Sequence, residues 1–311
     1  MARLFVWNKM IMQDIQTLNR IFSRDEQLQF TIGAGDMPFI QVNTAQASAT
    51  IALHGAQILS FKPHNSSHDL FYLSEESTYQ QGKAIRGGVP LCWPWFGDDP
   101  VDLGRPAHGF ARNLFWEVLD CQLHNDVAEI TLGLESTATS KQWWPGEFRL
   151  RKKIIISDQL AIALTTENHG EIAFSISQAL HSYFLVGDIK QVKIDGLADC
   201  DYLDKLQNFA SFTQTDTELS VASEVDRVYL NTQQGVSIID HALHRKIHIS
   251  HQGADNYVVW NPWQQAASLA DMKAQDYQHF LCVESANALA NSVIIAPGAA
   301  YQIMVNYQLE S

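Results

Sequence analysis

Two polar residues stand where a strand pattern calls for hydrophobes. The run Phe280-Leu-Cys-Val-Glu-Ser-Ala-Asn287 carries one carboxylate, Glu284, inside an otherwise apolar strand-like stretch. Alternate side chains of a strand share a face, so Glu284 lies with Phe280 and Cys282. Burial penalises the charged carboxylate and raises its pKa toward neutrality, which makes a glutamate useful as a general base. An edge-strand glutamate facing water fits this segment equally well. In Gln178-Ala-Leu-His-Ser-Tyr-Phe-Leu185, His181 shares a face with Ala179, Tyr183 and Leu185. A histidine so placed titrates near neutrality and can act as a general acid. Taken alone, that segment fits a core histidine bonded to a backbone carbonyl better.

Two further segments supply binding chemistry. Ala84-Ile-Arg-Gly-Gly-Val-Pro-Leu-Cys-Trp-Pro-Trp-Phe-Gly97 sets paired glycines beside Arg86, letting backbone approach a ligand closely. Its aromatics and prolines then form a rigid wall. Such a wall suits the apolar C–H faces of a sugar ring, with polar groups for the hydroxyl rim, although a packed loop with a structural arginine is the plainer account. Pro106-Ala-His-Gly-Phe-Ala-Arg-Asn113 places His108 and Arg112 around Gly109. Arg86 and Arg112 together offer two planar, permanently charged forks for a phosphate or a hydroxyl-rich ligand. Arg105 could be a third, although Asp98, Asp99 and Asp102 equally suggest a solvated loop. Asp226, opening Asp226-Arg-Val-Tyr229, could bind sugar hydroxyls or be an ordinary turn aspartate. Asn256-Tyr-Val-Val-Trp-Asn-Pro-Trp263 and Trp143-Trp144-Pro145 add aromatic surface that could line a cleft or simply pack.

Other chemistries lack support. The histidines show no H-E-x-x-H or other zinc spacing, so no metal is expected. No G-x-S-x-G, Walker or G-x-G-x-x-G motif is present, which disfavours a serine hydrolase and the usual nucleotide sites.

The elements that must position these residues are mostly strands. Ile11, Ile15, Leu18, Ile21 and Phe22 recur at helical spacing and predict one N-terminal amphipathic helix. Beyond it the period changes. Ala47 to Phe61 reads as two strands bent at His54-Gly55. Trp116–Leu123 with Val127–Leu134, and Leu150–Ile156 with Leu160–Thr166, read as hairpins around short polar turns. Further runs follow at Ile172–Val186, Gln191–Ile194, Val236–His241, Lys246–Ser250, Tyr257–Trp260, His279–Ser285 and Tyr301–Tyr307. Many short strands and no βαβ alternation predict an all-β antiparallel sandwich or barrel. With no linker, repeat or composition break, the 311 residues are expected to form a single domain, 1–311, with residues 1–25 as a helical extension.

The formal charge is −13 and the sequence pI about 5.3, which argues against nucleic acid or an anionic membrane surface as a partner. An anionic substrate would require a local arginine cluster. The four scattered cysteines, with Cys92 and Cys282 inside apolar runs, suggest buried thiols rather than disulfides. Neither a signal-peptide layout nor a bilayer-length apolar run is evident, and a cytoplasmic location is expected.

In this order, Ile85-Arg-Gly-Gly-Val-Pro90, Trp93-Pro-Trp-Phe-Gly97, His108-Gly-Phe-Ala-Arg112, Ala179-Leu-His-Ser-Tyr-Phe184, Asp226-Arg-Val-Tyr229, Val259-Trp-Asn-Pro262 and Val283-Glu-Ser-Ala-Asn287 resemble the aldose 1-epimerase superfamily. Within it they look most like the hexose-6-phosphate mutarotase branch. The resemblance implies a large antiparallel supersandwich of the galactose mutarotase-like kind. It implies Glu284 as the base and His181 as the acid, with His108, Arg86 and Asp226 binding substrate. Arg112, from the stretch belonging to the phosphosugar branch, is implied with Arg86 in a phosphate site. The expected substrate is a hexose 6-phosphate, glucose 6-phosphate first, handled by a monomer without cofactor. An epimerase of unphosphorylated aldoses and a non-catalytic sugar-phosphate binder are the alternatives. The N-terminal helix and residues 207–224 lie outside the resemblance.

Overall fold

The computed structural model describes residues 14–310. Two large antiparallel sheets dominate it, one of eight strands and one of nine, beside a four-stranded sheet and a two-stranded ribbon. Ile11 of the expected helix falls outside the described residues. The described helix, α1, runs Ile15–Phe22. Asp14 caps it by accepting from the Gln16 N–H, and Leu18 buries its apolar stripe. Strands β1 (Leu28–Ile32), β2 (Pro38–Asn43), β3 (Ala47–Ala52) and β4 (Gln57–Pro63) follow as a meander. The bend expected at Gly55 lies between β3 and β4.

The nine-stranded sheet contains both expected hairpins, β6–β7 (Glu117–His124, Val127–Glu135) and β8–β9 (Phe148–Ile156, Leu160–Asn168). A second short helix, α2 (Ser140–Trp143), links them. In the eight-stranded sheet, β17 (Val225–Leu230) pairs with β20 (Asn256–Asn261). That strand pairs in turn with β21 (Phe280–Asn287). Beyond β21 lie β11 (Gln178–Leu180) and β12 (Tyr183–Leu185).

The period-two rule divides the eight-stranded sheet into two faces. Leu281 and Val283 of β21, Tyr257 and Val259 of β20 and Tyr229 of β17 enter the main core with residues of the nine-stranded sheet such as Ile154, Ile162, Ile247 and Val305. Each such apolar side chain contributes about 1.5–3 kcal/mol on burial, which fixes the register. The opposite parity then has no choice of side. Phe280, Cys282, Val258, Val228 and Ala286 form smaller clusters on the outer face, and Glu284 belongs to their row.

Candidate active site

Register places the expected residues on that outer face. Glu284 lies opposite Val258, which lies opposite Val228; one step along, Cys282, Trp260 and Asp226 form the adjacent row. Tyr183 opposes Cys282 from the far side, so Asp226 and Tyr183 stand three strand spacings apart, roughly 14 Å.

His181 sits in a break between β11 and β12. Its N–H donates to the Pro90 carbonyl at 2.9 Å, and β11 and β12 keep one register against β21, Leu180 opposite Ser285 and Tyr183 opposite Cys282, so that His181 falls opposite Glu284. That register sets the imidazole beside Glu284, with Nε2 3.4 Å from Oε1, and both side chains are almost wholly buried. The ring stacks on Tyr183 at 4.7 Å and meets Trp260 edge-on at 5.9 Å. Among the described residues, His181 Nδ1 and Glu284 Oε2 are buried without a partner, the signature of a polar site built for something other than its own chain.

The electrostatics follow from burial. Desolvation, with a smaller push from Asp226, drives the Glu284 carboxyl well above its usual range; Arg112 and Lys205 oppose this. Desolvation first, then the neighbouring His108, Arg112 and Arg86, drives His181 well below its usual value. Both shifts favour the uncharged forms, a protonated carboxyl beside a neutral imidazole. Moving the carboxyl proton across the 3.4 Å contact yields carboxylate and imidazolium without changing the proton count.

The His108 loop is anchored to the aromatic wall. Trp93 bridges to Gly109, whose φ is +73° and where an added Cβ would fall 1.9 Å from the Trp93 carbonyl oxygen. His108 Nδ1 accepts the Gly97 N–H at 3.2 Å, which leaves Nε2 as the protonated nitrogen, free to donate. Its ring centroid is 5.8 Å from that of His181. Burial, then Arg112, Lys205 and Arg86, lower its pKa to about 3, so this imidazole stays neutral.

The arginines differ in their commitments. Arg86 Nε meets Asp271 at 3.1 Å and Nη1 donates to the Tyr183 hydroxyl at 2.9 Å. Gly87, at φ +109° and tight against the Tyr72 carbonyl, lets the chain turn there. Arg112 Nη2 donates to the Ala107 carbonyl at 2.9 Å, while its buried Nε has no partner among the described residues. Arg105 is consumed structurally: it ion-pairs with Asp99, lies 4.2 Å over the Trp95 ring and donates to the Trp143 carbonyl. It does not belong to the site. Asp226 is mostly buried at the other end of the face, 3.2 Å from Lys205 Nζ. Thus Glu284, His181, His108, Arg86, Arg112 and Asp226 surround one surface. Asp271 and Lys205 escape sequence reasoning because neither sits in a periodic run. Tyr183 was legible by parity as a neighbour of His181, but not as its stacking partner. A mostly apolar cavity framed by Leu53, Leu114, Phe115, Leu134 and Trp143 shares none of these residues, and its Arg149 is paired with Glu135.

An antiparallel sandwich that carries a buried acid–base pair beside arginines and an aromatic wall is the architecture of a sugar-converting isomerase. The chain belongs to the aldose 1-epimerase family, whose model matches residues 38–308. It is 40% identical over 254 residues to an Escherichia coli protein provisionally named glucose-6-phosphate 1-epimerase, covering 81% of this chain and 84% of that one. A Cenchrus ciliaris protein given the same provisional name is 34% identical over 264 residues, 82% of this chain and 79% of its own length. Among solved structures, a Salmonella typhimurium protein provisionally described as a mutarotase superposes with a TM-score of 0.87 at 32% identity, covering 98% of this chain and 99% of that one.

Proposed function

We propose that this epimerase interconverts the α and β anomers of a hexose 6-phosphate, glucose 6-phosphate first. The observation that carries the reading is the buried His181–Glu284 contact of 3.4 Å within a field of arginines. Glu284 removes the proton from the C1 hydroxyl while His181 protonates the ring oxygen. The C1–O5 bond breaks, giving the open aldehyde. After rotation about C1–C2 the reverse transfers close the ring on the other face. Each proton transfer is worth ~10²- to 10⁴-fold. The reading requires no cofactor.

Connectivity then orients the sugar. With C1 at Glu284 and O5 at His181, C5 and C6 extend past His181 toward Tyr183, Arg86 and Arg112. C2 and C3 turn back toward Asp226, with Trp260 beneath the ring. The 6-phosphate thus lies at the arginine end, and His108 Nε2–H donates near the ring oxygen. The names of the relatives support the phosphosugar, and we include in the reading a single domain acting as a monomer.

One observation favours unphosphorylated aldoses instead: Arg86 is already paired with Asp271 at 3.1 Å. Saturation-transfer NMR of α-to-β exchange decides between them. Acceleration of glucose 6-phosphate over free glucose and galactose supports the proposal. Acceleration of the free sugars alone rejects the phosphate site, and binding without acceleration rejects the chemistry.

A further inference from the structure

Lys205 begins the one-turn segment Lys205–Gln207, which closes the hairpin of β14 (Asp201–Asp204) and β15 (Ala210–Thr213). The turn is tied down. The Asp204 carboxylate accepts from the Leu206 N–H at 3.0 Å and from Gln207 Nε2 at 3.2 Å, and it faces Arg227 Nε at 3.5 Å. Asn208 and Phe209, at φ +53° and +59°, reverse the chain. Because Asp204 is in register with Arg227, the next residue, Lys205, hangs beside Asp226. Its side chain is 51% exposed while that of Asp226 is only 17% exposed, and Nζ lies 3.2 Å from Oδ2. A half-exposed lysine has water available, yet it is held on a carboxylate that faces the sugar surface. Among the described residues Lys205 is the sole cation within ion-pairing distance of Asp226.

The geometry points to Lys205 as a positioning residue of the sugar site: its ammonium holds the Asp226 carboxylate oriented and ionised, so that it can accept hydrogen bonds from the C2 and C3 hydroxyls. This inference rests on the mutarotase reading. The charges around Asp226 explain why help is needed. Asp204 on β14 and Glu224 at the entrance to β17 crowd it with carboxyls, and Glu284 and Cys282 face it from β21, two strands away. Burial is the largest influence raising the Asp226 pKa, Asp204 adds to it, and Lys205 opposes both. A protonated Asp226 would give up part of its acceptor capacity toward hydroxyls and present a donor instead.

The test is hexose 6-phosphate exchange kinetics from pH 5.5 to 8.5 for the unsubstituted protein, Lys205→Met, Lys205→Arg, Asp226→Asn and the Lys205→Met/Asp226→Asn double variant. For Lys205→Met, KM should rise about fivefold at pH 8, and by progressively more as pH falls and Asp226 takes a proton. The change in kcat should be smaller. Lys205→Arg should restore KM. On the Asp226→Asn background the lysine substitution should add nothing, because there is no charge left to maintain. An unchanged KM, a pH-independent rise, or an equal rise in the Asp226→Asn background would overturn the role of Lys205 while leaving the mutarotase reading intact. If the unsubstituted protein accelerates no hexose 6-phosphate, that reading fails and the role of Lys205 falls with it.

Discussion

Replacing Glu284 by glutamine separates chemistry from packing. The amide has nearly the shape of the carboxyl, so the row Cys282–Glu284–Ala286 keeps its contacts on the outer face of β21. On the proposed reading, what disappears is the proton acceptor for the C1 hydroxyl. General base catalysis is worth ~10²- to 10⁴-fold, so kcat should fall by that factor, about 3–5 kcal/mol in the barrier. KM should move little, since on the proposed reading the polar grip on the sugar comes from Asp226, His108 and the arginines.

Stability should respond in the opposite sense. Burial raises the Glu284 pKa in the folded state. Above the ordinary carboxylate value of about 4.3, the unfolded chain therefore releases a proton that the folded chain retains. Folded stability falls with rising pH through that window, by about 1 kcal/mol per pH unit, until the folded group also ionises. Glutamine removes the loss. Glu284→Gln should therefore be at least as stable as the parent protein at pH 7 and lose any advantage below about pH 4. Exchange NMR gives kcat and denaturant melts at both pH values give stability. Turnover within tenfold of the parent would refute Glu284 as the base. Lower stability at pH 7 would refute the electrostatic reasoning.

Three further outcomes are expected. Arg112→Ala should raise KM for glucose 6-phosphate by roughly 10- to 100-fold, the worth of a charge-assisted hydrogen bond, and for free glucose far less; equal effects would remove phosphate from Arg112. Because His181 is pushed down and Glu284 up, the one-proton pair spans a widened window, so kcat at saturating substrate should stay flat through pH 6.5. An acid limb at an ordinary histidine value would contradict it. Finally, Lys152 is fully buried in the core, donating to the Ala56 carbonyl at 2.9 Å, and burial lowers its pKa to about 7. Between pH 7 and 10.5 the folded chain thus holds fewer protons than the unfolded chain, so stability rises with pH there. Lys152→Met should be more stable than the parent at pH 7, with the gap closing by pH 10 in urea melts.

What could be read from the chain depended on whether the cause was local. Glu284 and His181 were legible because strand alternation is local: a polar residue sharing parity with Phe280 and Cys282 or with Tyr183 must sit with them. The sandwich was legible for the same reason, since both hairpins announced themselves by apolar runs around polar turns. The run Ile172–Val186 was read as one stretch, but it divides into Phe174–Ile176, Gln178–Leu180 and Tyr183–Leu185. His181 stands between the last two, which keep one register against β21 and so set it opposite Glu284, a pairing that nothing near His181 in sequence announces. Strands β1 and β2 were not read, and β14 and β15 lay in or beside the stretch that had no counterpart in the resemblance. Arg86 was legible as a candidate, but its partner Asp271 lies 185 residues away in an aperiodic loop.

The arrangement along the outer face suits a reaction in which the two ends of the substrate must stay still while its middle turns. The anomers differ only at C1, so on the proposed reading C1 has to rotate about C1–C2 while the remaining sugar keeps its place. Directional polar groups stand at the two ends, Asp226 opposite Trp260 and Arg86 on the Tyr183 hydroxyl. Between them, Val258, Cys282 and Trp260 supply surface that holds the ring by dispersion and imposes no hydrogen-bond direction. Between these ends stand Glu284 of β21 and His181, opposite it between β11 and β12, the base and the acid of the proposed reading. A single proton shared between them serves opening and closure in both directions, because the reverse reaction uses the same two atoms with their roles exchanged. Burial is therefore not incidental to this pair: it keeps one proton on the pair over a wide pH range, and an exposed glutamate and histidine would hold it only between their ordinary values of about 4.3 and 6.5.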